Sequence, residues 1–357
     1  MKINEQYGKL QCWGAGASAD AGAPIIGDFF KKAEEITNSS NLSHEESKRF
    51  KEVLSEREKL LPNSNIEEFF NYVDFQTRSY ILRTPSKDCR EFHRSFFNKS
   101  IPNSVHIPDA SIENSADAFV KLRKDTAFLI GRTLDESLKE VKSEVWRAYQ
   151  KILNTYDVII SFNWDLLCEH SYQKLNGENL LDTPGRRMGF GNILVKPALL
   201  KMHGSFNWVF CKKCEFVYLS DLKIEHKLHS EGKLCDNCGE HLLAVSILPT
   251  LNKFETIINT RGVPYENMWH NAYYAITEAE EIHFFGYSLS DADAHAKIFF
   301  KAGITQNTSP NLNVEVIYKP PNKKEGNIAL ENRFIDVCKP KVKPRFSEHS
   351  FLEYFQE

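Results

Sequence analysis

Two Cys-x-x-Cys pairs carry the most specific chemical signal in the chain. They are Cys211 and Cys214 in "CKKC" and Cys235 and Cys238 in "CDNCG", with twenty residues between the pairs. Thiolates are soft donors, and four of them presented by two such turns complete a tetrahedral Zn2+ site. Four protein ligands leave no position open for water, so the zinc expected here is structural. His226, His229 and His241 lie nearby, but the set is complete without them and they are assigned to the surface. Cys12, Cys89, Cys168 and Cys338 stand alone and read as packed thiols.

The stretch "CWGAGASADAGAP", residues 12–24, holds three glycines and five alanines in thirteen positions. Small residues clear space where something must approach the backbone. Gly14, Ala15, Gly16 and Ser18 follow a short strand and precede a helix, where backbone N–H groups can meet a pyrophosphate. The next glycine is Gly22, so the spacing is not G-x-G-x-x-G, and a tight turn without a ligand accounts for the stretch as well. Three more polar clusters close apolar runs. "SFNWD" carries Asn163 and Asp165, which fit either a strand-end cleft or an Asx turn capping a helix. "KMHGS" places His203 before a glycine. "FFGYSLSDAD" places Gly286, Ser288 and Leu289 in a turn, with Asp291 as the expected N-cap.

These groups need elements to hold them. From residue 29 to about 154 the text is charge-dense and periodic, as in "HEESKRFKEVLSEREKLL" and "DTAFLIGRTLDESLKEVKSEVWRAYQKIL", and predicts helices with solvated faces. Residues 80–115, rich in Pro, Ser and Asn, read as loop. From Asp157 onward short apolar or β-branched runs ("DVIIS", "VKPALLK", "EEIHFF", "NVEVIY") alternate with helical text. That alternation, with "KLQCW" as the first strand, predicts an α/β, Rossmann-like parallel sheet with helices on both faces, a helical insertion and a small four-cysteine zinc ribbon. In such sheets ligands bind beyond the carboxyl ends of the strands, where all the polar clusters fall.

Composition narrows the function classes. Among 357 residues, 41% are hydrophobic and 26% charged, as expected of a soluble globular protein. A formal charge of −3 gives no general attraction to nucleic acid or anionic membrane. No apolar run reaches the roughly 20 residues of a membrane span. The first residues lack the apolar stretch of a secretory signal, and free cysteines suit a reducing compartment, so the expected location is the cytoplasm.

Taken in order, "GAGAS…GAP", "SFNWD", "HG", the two Cys-x-x-Cys pairs and "GYSL" resemble the sirtuin superfamily of NAD-dependent enzymes. The match runs from residue 10 to 319. The departures from protein-deacylating sirtuins are equally definite. "GAPIIGDFF" lacks the arginine of their Asp-Phe-Arg segment, and "SILPTLNKF" stands where their FGE-type segment pairs with an acylated peptide. "KMHGSFNW", "ILPTLNKF" and "GYSLSDAD" resemble the divergent bacterial branch found in antiphage defence.

The resemblance implies one NAD-binding domain over residues 1–357, with a helical insertion at 30–154 and the zinc ribbon at 205–245. It implies an NAD+ hydrolase that releases nicotinamide and ADP-ribose. Asn163 and His203 are its catalytic pair, the one orienting water beside the nicotinamide ribose and the other acting as general base. Asp165 contacts the nicotinamide carboxamide, and Gly14, Ala15, Gly16 and Ser18 meet the phosphates. Gly286, Ser288 and Leu289 line the adenosine half, with Tyr318 and Lys319 as weaker candidates and Asp20 as a pocket residue without a role. The alternatives are an NAD-dependent protein deacylase and a catalytically silent NAD or ADP-ribose sensor. Partners implied are a second copy of the chain and a separate regulator, such as a HerA-type hexameric DNA translocase, since the stretch after Lys319 is too short for a sensor fold. The basic tail "CKPKVKPRF" is expected to be solvated, with a docking segment as the alternative.

Overall fold

The computed structural model describes residues 8–39, 41–83, 110–139, 141–176, 197–211, 213–214, 216–219, 233–246, 265–290, 293–319 and 324–356. They fall into two compact units, one made of residues 1–25, 137–205 and 264–357, the other of residues 26–136 and 206–263.

The first unit is built on strands β1 (Lys9–Trp13), β2 (Val158–Ser161), β3 (Ala198–Lys201), β8 (Glu281–Phe285), β9 (Asn313–Ile317) and β10 (Arg345–Ser347). They form one sheet in the order β10-β9-β8-β1-β2-β3, every pair parallel. β2 and β3 are buried along their whole length. Burial on both faces explains why their text is a continuous apolar run and not an alternation. One face is covered by α5 (Ser143–Thr155), α6 (Leu167–Asn176) and α10 (Phe351–Gln356), whose Tyr149, Ile152, Tyr172 and Phe351 share a core with Trp13, Ile159 and Phe285. The opposite face carries α7 (Tyr265–Glu278), α8 (Ala294–Thr305) and α9 (Lys324–Cys338), with Phe284 packed against Phe300 and Phe334. From β1 the chain goes on to β2 and β3 on one side and to β8, β9 and β10 on the other. The strand order therefore reverses beside β1, which is where α/β sheets open a crevice for ligands.

The second unit contains α1 (Phe29–Thr37), α2 (His44–Leu60), α3 (Ile66–Arg83) and most of α4 (Ala110–Ser137), together with an antiparallel sheet in the order β5-β4-β7-β6. Those strands are β4 (Gly204–Cys211), β5 (Phe216–Leu219), β6 (Lys233–Leu234) and β7 (His241–Ser246). Ser43 and Glu46 close a capping box at the start of α2. Phe30, Phe50, Phe69, Phe70 and Phe128 are buried, and ionic groups are threaded among them. Arg123 and Arg78 reach the Asp74 carboxylate at 2.7 and 2.8 Å. Burial would raise the Asp74 pKa, but the two guanidinium groups outweigh it and hold the carboxyl below its ordinary value.

The text from Asp125 to Leu153 is helical as expected, with α4 ending at Ser137 and α5 beginning at Ser143. The basic tail is exposed at Lys339, Lys341, Lys343 and Arg345, as expected, and it ends in a strand. Arg345–Ser347 pairs with β9, and Phe351 is 3% exposed against Trp13 and Phe285. Of the segment read as loop, residues 80–83 and 110–115 are instead helical, ending α3 and opening α4, while residues 84–109 lie outside the described residues, as do Asp291 and Cys89.

Candidate functional site

Register decides where the polar clusters stand. Trp13 pairs with Phe285 on one side and Ser161 on the other, and Ser161 pairs with Lys201. Gly14 and Gly286 therefore follow their strands by one residue, and Asn163 and His203 follow theirs by two. All four lie at the carboxyl edge of four adjacent strands.

Gly14 and Gly16 are small for a reason internal to the chain. Their N–H groups donate to the carbonyls of Phe285 and Gly286, both at 3.0 Å. A Cβ on Gly16 would sit 2.7 Å from the Gly286 Cα, and one on Gly286 would sit 2.4 Å from Gly16. The cleared space is filled by the opposite turn, and the amides of Gly14, Gly16 and Ala17 are engaged within the protein. The following element is a 3₁₀ helix, Ala15–Ala21, where a helix was expected.

Asn163 is 9% exposed, and its side-chain nitrogen donates to the Gly14 carbonyl at 2.9 Å and to Ser18 Oγ at 3.0 Å. Two acceptors for one NH2 fix the amide's orientation and keep its carbonyl oxygen, Oδ1, as an acceptor for a further hydroxyl. Ser18 Oγ donates onward to Asp165 Oδ2 at 2.6 Å, while Asp165 Oδ1 accepts from the Leu167 N–H at 3.1 Å. Asp165 is thus both a cap for α6 and the end of a network that starts at the glycine turn. An ionised carboxylate has about four acceptor sites, so two remain for a ligand amide.

Beneath this network lies a pair the sequence reading did not single out. Lys201 Nζ donates to the Asp165 carbonyl and meets Glu169 Oε1 at 3.0 Å, with both residues 1% exposed. Burial pushes the Glu169 pKa up and the Lys201 charge opposes it. The signal was a lysine ending the otherwise apolar strand "ALLK".

His203 is 4% exposed, and its ring meets Phe162 edge-on at 5.0 Å. Phe162 stacks on Tyr287, with centroids 4.7 Å apart and planes 15° from parallel. In the same turn Leu289 is fully buried at φ 46°, a conformation a branched side chain rarely takes, and the Ser288 carbonyl accepts from Arg333 Nε at 2.9 Å. Asp293, and not Asp291, occupies the N-cap position of α8. Asp293 and His295 stand close to His203, a grouping that only the spacing "DADAH" announced.

Other candidates are employed elsewhere. Asp20 Oδ2 accepts from the Leu352 N–H at 2.8 Å, tethering α10. The Tyr318 hydroxyl donates to Glu331 at 2.9 Å, and Lys319 is exposed. Cys12 and Cys168 are buried, and burial pushes their thiols well above the ordinary range, so neither supplies a nucleophile.

In the second unit the four sulfurs of Cys211, Cys214, Cys235 and Cys238 lie within 4.8 Å of one another. Cys211 and Cys238 are 3.4 Å apart and Cys214 and Cys235 3.8 Å. Bonds of about 2.3 Å to a tetrahedral Zn2+ put sulfurs roughly 3.8 Å apart, so the cluster fits that ion. The Cys214 N–H donates to Cys211 Sγ at 3.4 Å, and Gly239, at φ 70°, turns the second knuckle back so that its N–H meets the Cys235 carbonyl at 2.8 Å. His241 is exposed; His226 and His229 lie outside the described residues.

No family model matches the sequence, and no curated protein matches it. Among solved structures the chain is similar to "Sir2 bound to acetylated peptide" at 12% identity and a TM-score of 0.41, over 100% of this chain and 96% of that one. It is similar to "Structure of Sir2Tm bound to a propionylated peptide" at 13% identity and a TM-score of 0.40, covering 99% and 92%. "Sir2-p53 peptide-NAD+" matches at 14% identity and a TM-score of 0.40, covering 100% and 96%. The functional reading rests on the chain's own residues.

Proposed function

We propose that the chain is an NAD+ glycohydrolase that cleaves the bond between nicotinamide and ribose C1′. The observation that carries this reading is the fixed amide of Asn163, whose nitrogen is spent on Gly14 and Ser18, at the strand end beside that of His203. Oδ1 accepts a hydrogen bond from a water and holds its oxygen toward C1′. As the C1′–N bond breaks, its electron pair passes to the nicotinamide ring and discharges the ring's positive charge. The water oxygen bonds to C1′, and His203 takes the released proton. Asp165 binds the carboxamide, and the rest of the dinucleotide lies along the outer surface of the turns at Gly14–Ser18 and Gly286–Leu289, since the amides of Gly14, Gly16 and Ala17 are already engaged. Zinc at the four cysteines is structural and takes no part in the chemistry.

The resemblance in "KMHGSFNW" and "GYSLSDAD" supports a role in antiphage defence by NAD depletion in the cytoplasm. A hydrolase of this kind must be restrained, and we assign that task to assembly with further copies of the chain or with a HerA-type translocase. Residues 30–154 and 205–245 are read as modules inserted into one NAD-binding domain, except that α5, at the end of the first of them, packs on the parallel sheet and belongs with that domain.

Incubating the purified protein with NAD+, with and without an acetylated peptide, tests the activity. Nicotinamide and free ADP-ribose formed without peptide are the expected products. O-acetyl-ADP-ribose formed only with peptide would make the chain a deacylase instead.

A further inference from the structure

The turn after β3 and the start of α8 bring together a second set of metal-ligand side chains, distinct from the four cysteines. His203, Asp293 and His295 each present one donor atom, and the three atoms lie within 4.8 Å of one another. His203 and Asp293 are 4% and 6% exposed. The two imidazole centroids are 5.8 Å apart. Asp293 sits at the N-cap of α8, yet its carboxylate makes no capping bond to the helix. It instead accepts from the Tyr287 hydroxyl at 3.4 Å, the kind of outer hydrogen bond that orients a ligating carboxylate. Phe162 at 5.0 Å from His203 and Trp269 at 5.6 Å from His295 supply apolar walls.

Two imidazoles and one carboxylate suit first-row divalent cations and do not suit Mg2+ or Ca2+, which take oxygen ligands. Bonds of about 2.0–2.1 Å to tetrahedral Zn2+ bring donor atoms to roughly 3.3 Å, a closure within reach of small side-chain rotations. We propose that His203, Asp293 and His295 bind Zn2+, and that this ion holds the NAD site inactive. The neutral imidazole has a single nitrogen lone pair. It can go to the metal or to a proton from water, but not to both. Binding of the ion stands independently of the hydrolase reading, whereas inhibition rests on it.

The full chain, equilibrated with micromolar Zn2+ and freed of unbound metal, should carry two zinc ions, one of them on the four cysteines. His295→Ala and His295→Asn should each carry one, and Tyr287→Phe should weaken the second ion by roughly tenfold. Nicotinamide release by the wild type should fall at least tenfold with added Zn2+ and return with a chelator weak enough to leave the cysteine-bound zinc in place, while the His295 variants keep their turnover at the same Zn2+. One zinc in wild type and variants alike would overturn the proposal, as would equal Zn2+ sensitivity of their turnover. Two ions in the wild type without NAD cleavage under chelator would leave the metal site standing and defeat the hydrolase reading.

Discussion

Asn163 shows how much a single side chain can be committed before any ligand arrives. Both its amide hydrogens have acceptors in the glycine turn, so an isosteric carboxylate there would set an acceptor against the Gly14 carbonyl. Asn163→Asp is therefore expected to be as inactive as Asn163→Ala, and less stable by about 1–3 kcal/mol in denaturant unfolding. Asn163→Ala and His203→Ala should each lower nicotinamide release by roughly 100-fold or more while leaving the cysteine-bound zinc unchanged. Retained turnover in His203→Ala would remove that residue from the mechanism. The strand-end positions of Asn163 and His203 were legible because polar residues closing apolar runs stand out in the text. Lys201 and Glu169 were not, since a lysine after an apolar run reads as the start of a solvated turn. Only the fold brings them together, 3.0 Å apart in a buried site.

At the scale of elements, the site depends on two turns locked backbone to backbone. Gly286 adopts φ 53° and touches Gly16, so Gly286→Ala combines a strained conformation with overpacking. It is expected to cost about 1–3 kcal/mol or more in thermal unfolding. The glycines at 14 and 16 suggested a ligand from sequence, but sequence does not reveal what fills cleared space, and here another turn does. Alternation of strands and helices made the parallel sheet readable. The last strand and α10 were hidden by their short lengths and by the lysines and prolines before them. Phe351 anchors that end of the chain against Trp13 and Tyr149. Phe351→Ala should cost about 3–5 kcal/mol, read as a lowered denaturation midpoint.

At the scale of the molecule, the two units have different sensitivities. Cys211→Ser or Cys238→Ser should lower bound zinc and solubility, because metal binding is part of the folding free energy of such a module. The helical part of the second unit depends on ionised carboxylates. Asp74 has a folded pKa below its unfolded one, so its contribution is complete above the ordinary carboxylate range, near pH 4, and is lost as pH falls through the depressed value. Acid titration followed by circular dichroism should reveal that loss, with Asp74→Asn already destabilised at neutral pH. The Cys-x-x-Cys spacing made the zinc module legible because four ligands at fixed intervals have few other uses. The Asp74 network was not legible, because the charges of a solvated helix and of a buried ion pair read alike. Among the described residues no helix is long and apolar enough to cross a membrane.

The most direct measurement is a crystal structure with a non-hydrolysable NAD+ analogue in which carbon replaces the ring oxygen of the nicotinamide ribose. The account predicts its C1′ between the side chains of Asn163 and His203, with a water on Asn163 Oδ1 roughly 3–3.5 Å from that carbon. An analogue bound with C1′ remote from both residues, or with the two side chains turned to opposite sides of the sheet, would contradict it.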